Sequence, residues 1–328
     1  MTDLPRVSLA CLPTPVQFLP RLTATLNGPR IFIKRDDLTG LAEGGNKTRK
    51  LEFLVADAHE CKADTLVTLG SAQSNHCRQT AAAAARCGYR CILVLRGDAP
   101  SELGGNLLLD RLLGAQLVWS GAHSREEVME EVVESERRAG RRPYVIPLGG
   151  STPLGAVAYV HALEELREQE ASLNGVTFDR IVFASSSGGT HGGLAAGANL
   201  SGFQGEVLGI SIDEDQASLQ EMVAEIASGV AKLLGRPRNF KPREIVANAD
   251  YLGEGYGVMG GLEREAIDLF ARVEGVLLDP VYTARAAGAM IDLIRRGVIG
   301  KDETILFWHT GGVPALWAYA KQLISNDE

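Results

Sequence analysis

Residues Thr65–Leu95 read TLVTLGSAQSNHCRQTAAAAARCGYRCILVL. A β-branched run, Thr65–Leu69, leads through a polar loop into an alanine-rich segment, and a second apolar run, Cys91–Leu95, follows the turn at Gly88. The spacing is that of a strand, a crossover helix and a parallel strand, and parallel sheets need helices on both faces. Working outward, further short runs predict strands at Ile31–Lys34, Gln116–Trp119, Tyr144–Pro147, Ile181–Ala184, Val207–Ile212 and Thr304–Phe307. Helical patterns lie between them at Asn46–Cys61, Asn75–Cys87, Leu103–Leu113, Ser124–Ala139, Gly155–Gln169, His191–Asn199, Ser218–Leu234, Gly261–Arg272 and Arg285–Arg296. The expected class is α/β: two three-layer α/β/α domains with mostly parallel sheets. Residues 49–151 form the smaller domain, and 1–48 with 152–328 form the larger one. A site in the cleft between them is expected, because ligands of such sheets gather beyond the carboxyl ends of strands.

A chain of 328 residues is long enough for two cores. Its formal charge of −8 argues against nucleic acid or an anionic membrane as partner, while leaving room for a small anionic substrate held by a local basic cluster. Met1–Leu12 lacks the basic and apolar pattern of a signal peptide, and no apolar run is long enough to span a bilayer. Five cysteines without CxxC spacing fit reduced thiols and no metal site, so a cytoplasmic location is expected.

Four loops carry chemistry. In Gly44-Gly45-Asn46-Lys47-Thr48-Arg49-Lys50, the glycines permit close backbone approach, and Lys47 and Lys50 share a helical face. A lysine amine can form a Schiff base with an aldehyde cofactor, with a second cation lowering its pKa or binding phosphate; alone, the segment also reads as a solvated basic helix start. Gly70-Ser71-Ala72-Gln73-Ser74-Asn75-His76 offers N–H groups at a helix start to a carboxylate, or simply an N-cap. Ser185-Ser186-Ser187-Gly188-Gly189-Thr190-His191 suits a phosphate dianion. It lacks both the Walker lysine and the G-x-G-x-x-G spacing, so ATP and NAD fit poorly. The fourth pairs Asp279-Pro280-Val281-Tyr282-Thr283 with His309-Thr310-Gly311-Gly312. Taken singly, His191 and His309 read as hydrogen-bonded structural residues and Tyr282 as a packed aromatic.

Together these segments resemble the pyridoxal phosphate enzymes of fold type II (tryptophan synthase β-like). The branch resembled is that of D-cysteine desulfhydrase, L-cysteate sulfo-lyase and 1-aminocyclopropane-1-carboxylate deaminase. The resemblance runs nearly end to end, through Pro13-Thr14-Pro15, Ile33-Lys34-Arg35-Asp36-Asp37, GGNKTRKLE, QSNH, SGGTHGGL, LDPVYT and HTGG. It implies pyridoxal 5′-phosphate on Lys47, with Lys50, Ser187, Gly188, Gly189 and Thr190 around the phosphate. Asn75 would bond the ring 3′-oxygen, and Thr283 would face the ring nitrogen. Ser74, Asn75 and His76 would receive the substrate carboxylate, with Tyr256 and Tyr282 beside the reacting atoms and Tyr282 or Lys47 moving the α-proton. Homodimers are usual among such enzymes.

The deaminase carries Glu where this chain has Thr283, and a hydroxyl is a poorer means of keeping the ring nitrogen protonated. Elimination of a good leaving group is therefore expected over cyclopropane opening: carbon–sulfur cleavage of a cysteine-like amino acid to pyruvate and ammonia. Compared with the desulfhydrase pattern, Ser71 and Trp308 add hydrogen-bond donors of the kind a sulfonate needs. The expectation leans to L-cysteate, releasing sulfite, over D-cysteine, releasing sulfide. A nicotinamide-dependent oxidoreductase and a non-catalytic small-molecule-binding protein are the alternatives from other classes. The first lacks its dinucleotide fingerprint, and the second would have no use for Lys47.

Overall fold

The computed structural model describes residues 4–173 and 175–324. Ten strands are found among them: β1 (Val16–Phe18), β2 (Arg30–Arg35), β3 (Thr65–Gly70), β4 (Arg90–Leu95), β5 (Gln116–Trp119), β6 (Pro143–Val145), β7 (Arg180–Ser185), β8 (Glu206–Ser211), β9 (Ala247–Asn248) and β10 (Thr304–His309). They form a six-stranded sheet in the order β1-β2-β10-β7-β8-β9 and a four-stranded sheet in the order β5-β4-β3-β6. Every neighbouring pair is parallel except β1 with β2. The two mostly parallel α/β sheets expected from the repeat are present. Two strands and the helix Pro20–Leu26 had no sequence signal, because β1 and β9 are three and two residues long.

The decisive stretch folds as its pattern requires. β3 pairs with β4 from Thr65↔Arg90 to Gly70↔Leu95, and the helix Asn75–Cys87 covers the sheet between them. Ser74 caps that helix by accepting from the Cys77 N–H, and Gly88 ends it in the left-handed conformation. The buried alanines Ala81–Ala84 let the helix lie close to the sheet.

The helix Asn46–Glu60 crosses the domain boundary expected at residue 48. Its Leu51, Leu54, Val55 and Ala58 enter the core of the four-stranded sheet, while Phe53 joins the core of the six-stranded one. The N-terminal half of this helix is also held by charge. Arg49 donates to Asp36 and to Glu165, Lys34 contacts Glu165 and the Thr14 carbonyl, and Tyr159 donates to Asp36. Asp36 is fully buried; burial alone would raise its pKa, but Arg49 and Lys34 hold it below the ordinary value. Removing one member of such a buried cluster strands its partners, at a cost of about 3–5 kcal/mol. The helix that carries Lys47 is thus anchored to both cores. No helix among the described residues is long and apolar enough to cross a membrane.

Candidate active site

A cavity of about 280 Å³ opens between the two sheets and collects the carboxyl ends of five strands. Gly70 of β3, Arg96 just after β4, Ser185 of β7, Asp213 beyond β8 and Thr310 after β10 all line it. Lys47, Lys50, Ser71, Ser74, Asn75, His76, Ser187, Gly188, Gly189, Thr190, Tyr256 and Tyr282 line it as well. All four loops, spread along the chain from Lys47 to Thr310, are therefore brought to one place.

Lys47 is the second residue of its helix, and its Nζ donates to Asn46 Oδ1 at 2.9 Å. Loss of water and the nearby Arg78 pull its pKa down to about 8, against an opposing pull from Asp279. The bend before it depends on Gly44, where φ is +60° and a Cβ would fall 2.1 Å from the Asp37 carbonyl oxygen.

Lys50 is 1% exposed, and its Nζ reaches only the Gly149 carbonyl at 3.1 Å and Ser151 Oγ at 3.3 Å. Burial, with Lys47 beside it, pushes its pKa well below the lysine range. Neither ammonium has a carboxylate at ion-pair distance among the described residues. The helix Gly189–Ser201 starts against this pair, with its Gly189 N–H on Ser151 Oγ and Ser151 Oγ within 2.8 Å of Ser187 Oγ. A Cβ on Gly189 would lie 2.7 Å from Lys50 Nζ, so only glycine leaves the space open. A buried lysine amine and a half-buried one, neither with a carboxylate at ion-pair distance among the described residues, together with hydroxyls and a helix N-terminus, make a site that a phosphate dianion fits.

His76 is 4% exposed. Thr68 Oγ1 donates to the Ile146 carbonyl at 2.7 Å, so in its 2.8 Å bond with His76 Nε2 it accepts. The ring is therefore the Nε2–H tautomer with a bare Nδ1, and burial and the two lysines push its pKa well down. This corrects the expected role of His76: its one ring proton is spent on Thr68, so of this residue only the backbone N–H, one of the free N–H groups of that helix start, can donate to a carboxylate. Those of Asn75 and His76 have no intrahelical acceptor.

Tyr282 OH and Tyr256 OH lie 2.7 Å apart, and Tyr256 OH lies 3.2 Å from Ser71 Oγ, a chain of hydroxyls that bridges the two sheets. Burial and the neighbouring Tyr256 raise the Tyr282 pKa well above the ordinary phenol value.

Two expected site residues stand elsewhere. Trp308 is fully buried and does not line the cavity; its Nε1 donates to Asp36 Oδ2 at 2.8 Å and its ring packs edge-on against Tyr159. β10 extends two residues beyond the expected end, so Trp308 follows the strand's alternation into the core and not into the loop. Thr283 is likewise fully buried behind the wall. Its hydroxyl donates to Asp279 Oδ1 and accepts from the Asp279 N–H, both at 2.7 Å, while the Asp279 carboxylate caps the helix Thr283–Arg295. His309 is the structural residue expected, with Nε2 on the Leu277 carbonyl and Nδ1 accepting from the Gly311 N–H. His191 is buried, with Nδ1 on Ser185 Oγ at 3.1 Å and Nε2 unpartnered.

Sequence reasoning missed Asn46, Ser151, Arg96, Arg125 and Asp213. Arg96 was findable: it follows a strand as Ser71 and Ser186 do, and the β3–β4 register sets it beside Ser71, its N–H on the Gly70 carbonyl at 3.0 Å. Arg125 opens the helix Arg125–Arg138 after the Ser124 capping box. Arg96 has no carboxylate at ion-pair distance among the described residues, and Arg125 has Glu126 at 3.9 Å.

Over residues 7–311 the chain matches the family described as "Pyridoxal-phosphate dependent enzyme". It is also similar to a solved crystal structure of a protein described as an ACC deaminase homologue, with 39% identity and a TM-score of 0.89, over 98% of this chain and 96% of that one.

Proposed function

Since the chain belongs to the pyridoxal-phosphate dependent enzymes, we propose that it is a lyase that cleaves the carbon–sulfur bond of a cysteine-like amino acid, with L-cysteate, which carries two anionic groups, favoured over D-cysteine. The carrying observation is the pair of arginines, Arg96 and Arg125, that line the cavity together with Ser71. A carboxylate and a sulfonate each need donors when they leave water, because an unpaired buried charge costs several kcal/mol. The N–H groups of Asn75 and His76 supply donors for one anion, and the guanidinium groups with the Ser71 hydroxyl supply them for the other. A thiol leaving group has no need of the second set. Trp308 supplies no donor to a sulfonate, because its indole is spent on Asp36.

Bound pyridoxal phosphate supplies the electron sink that lets bonds at the α-carbon break. Lys50, Ser187, Gly189 and Thr190 would hold its phosphate, and Lys47 would be the amine that meets its aldehyde. With its pKa near 8, Lys47 carries a usable fraction of free amine at neutral pH and accepts the α-proton. Tyr282, kept protonated by its environment, serves as a donor linked through Tyr256 to Ser71. The relative described as an ACC deaminase homologue raises cyclopropane opening as the second reading. Arg96 and Arg125 favour elimination instead, because an aminocyclopropane substrate has one carboxylate and no second anion for them to meet.

The test is a substrate panel of L-cysteate, both cysteine enantiomers and aminocyclopropane carboxylate, scored for sulfite, sulfide, pyruvate and 2-oxobutyrate. Sulfite with pyruvate from cysteate is the expected outcome. Brisk sulfide from D-cysteine without sulfite makes the protein a desulfhydrase, and 2-oxobutyrate alone makes it a deaminase.

A further inference from the structure

Behind the cavity a polar cluster ties Asn75 to two side chains that do not line it, Arg78 and Asn106. Arg78, in the second turn of the helix Asn75–Cys87, is fully buried, yet no carboxylate lies at ion-pair distance from it among the described residues. It donates to Asn106 Oδ1 at 2.7 Å, to Asn75 Oδ1 at 3.3 Å and to the Gly44 carbonyl at 2.5 Å. Asn106, also fully buried, donates from Nδ2 to the Gln73 carbonyl and to Asn75 Oδ1, both at 2.8 Å.

The chemistry of these groups allows one arrangement. A guanidinium can only donate, so the Asn106 atom facing it is Oδ1. Asn106 Nδ2 then points the other way, toward a carbonyl that can only accept and toward Asn75. The Asn75 atom that meets two donors must be its own Oδ1. This leaves Asn75 Nδ2, which donates to no group among the described residues and lies over Gly312, while Asn75 itself lines the cavity. An asparagine amide free to flip would present oxygen half the time; this one is fixed from behind.

We propose that Arg78 and Asn106 are positioning residues that lock the Asn75 carboxamide with its N–H donors facing the cofactor, giving the site a fixed donor for an acceptor on the cofactor ring. Neither residue lines the cavity. Both act through Asn75, and Arg78 also ties the loop carrying Lys47 to it through the Gly44 carbonyl. The inference rests on the cofactor assignment and is independent of the leaving group.

Apoprotein titrated with pyridoxal phosphate, followed by absorbance and tryptophan fluorescence, tests it. Asn106→Asp offers only acceptors where Asn75 needs a donor, which turns the Asn75 oxygen toward the cavity. Cofactor affinity should fall by at least about tenfold, the effect of one lost donor to a charged acceptor, with a shifted absorbance maximum. In an Asn75→Ala background the same change should add nothing. Asn75→Asp keeps acceptors for Arg78 and Asn106, so its melting temperature should hold while cofactor affinity drops as in N106D; it decides the matter if N106D does not fold. Wild-type affinity in folded N75D or N106D, or a further tenfold loss on adding N106D to N75A, overturns the proposal. Wild-type protein that binds no cofactor would instead overturn the cofactor assignment, and the substrate panel reports separately on the leaving group.

Discussion

Trp308 donates its indole Nε1–H to Asp36 Oδ2 across 2.8 Å, joining Tyr159, Arg49 and Thr14 on a carboxylate that no water reaches. Trp308→Phe leaves that acceptor one donor short and should cost about 1–3 kcal/mol, read as a lower urea midpoint. The ratio of cysteate to D-cysteine turnover should stay at the wild-type value. Unchanged stability with a selective loss of cysteate cleavage would put the indole back in the site.

Lys47 and Lys50 are told apart by what surrounds them. Borohydride treatment of the loaded enzyme should fix the cofactor to Lys47, seen as one modified peptide in a tryptic map. Lys47→Ala should retain cofactor through the serine and glycine cup while turnover drops by orders of magnitude. A label on Lys50 would reverse the two roles.

The Lys47 amine should show its depressed pKa directly in the apoprotein. Burial and Arg78 lower it to about 8 and Asp279 pulls it back, with Lys50 and His76 as the other titratable neighbours. Amine-reactive labelling at Lys47 should be half-maximal near pH 8, against roughly 10.4 for an ordinary lysine. Between these values the folded apoprotein holds fewer protons at this site than the unfolded chain. The site therefore destabilises the fold below about pH 8, and that cost is relieved as pH rises toward the unfolded value. Half-maximal labelling above pH 10 refutes the account.

Arg96→Gln, Arg125→Gln and Ser71→Ala test the second anion. A hydrogen bond to a charged group is worth roughly 1.5–3 kcal/mol, so each change should lower kcat/KM for cysteate by about tenfold or more. Activity on D-cysteine should stay within a few-fold. Equal losses on both substrates would mean that these donors hold the shared α-carboxylate.

Local pattern determined much of this protein. Strand–helix alternation gave two parallel sheets, because apolar periodicity and Gly or Pro punctuation act over a few residues. Ser74, Lys47, Lys50 and the Ser187–Thr190 loop announced themselves by lying at strand ends and helix starts, where backbone N–H groups are free. Only the tertiary structure decided what each side chain meets. Trp308 carries a donor that the sequence could assign to a ligand, yet packing gives it to the buried Asp36, 272 residues away. Arg96 comes beside Ser71 through strand register, and His76 is denied a proton on Nδ1 by a carbonyl 70 residues away. Hydrogen-bond partners distant in sequence leave no periodic trace, so the direction of a donor is fixed only when the chain has closed around it.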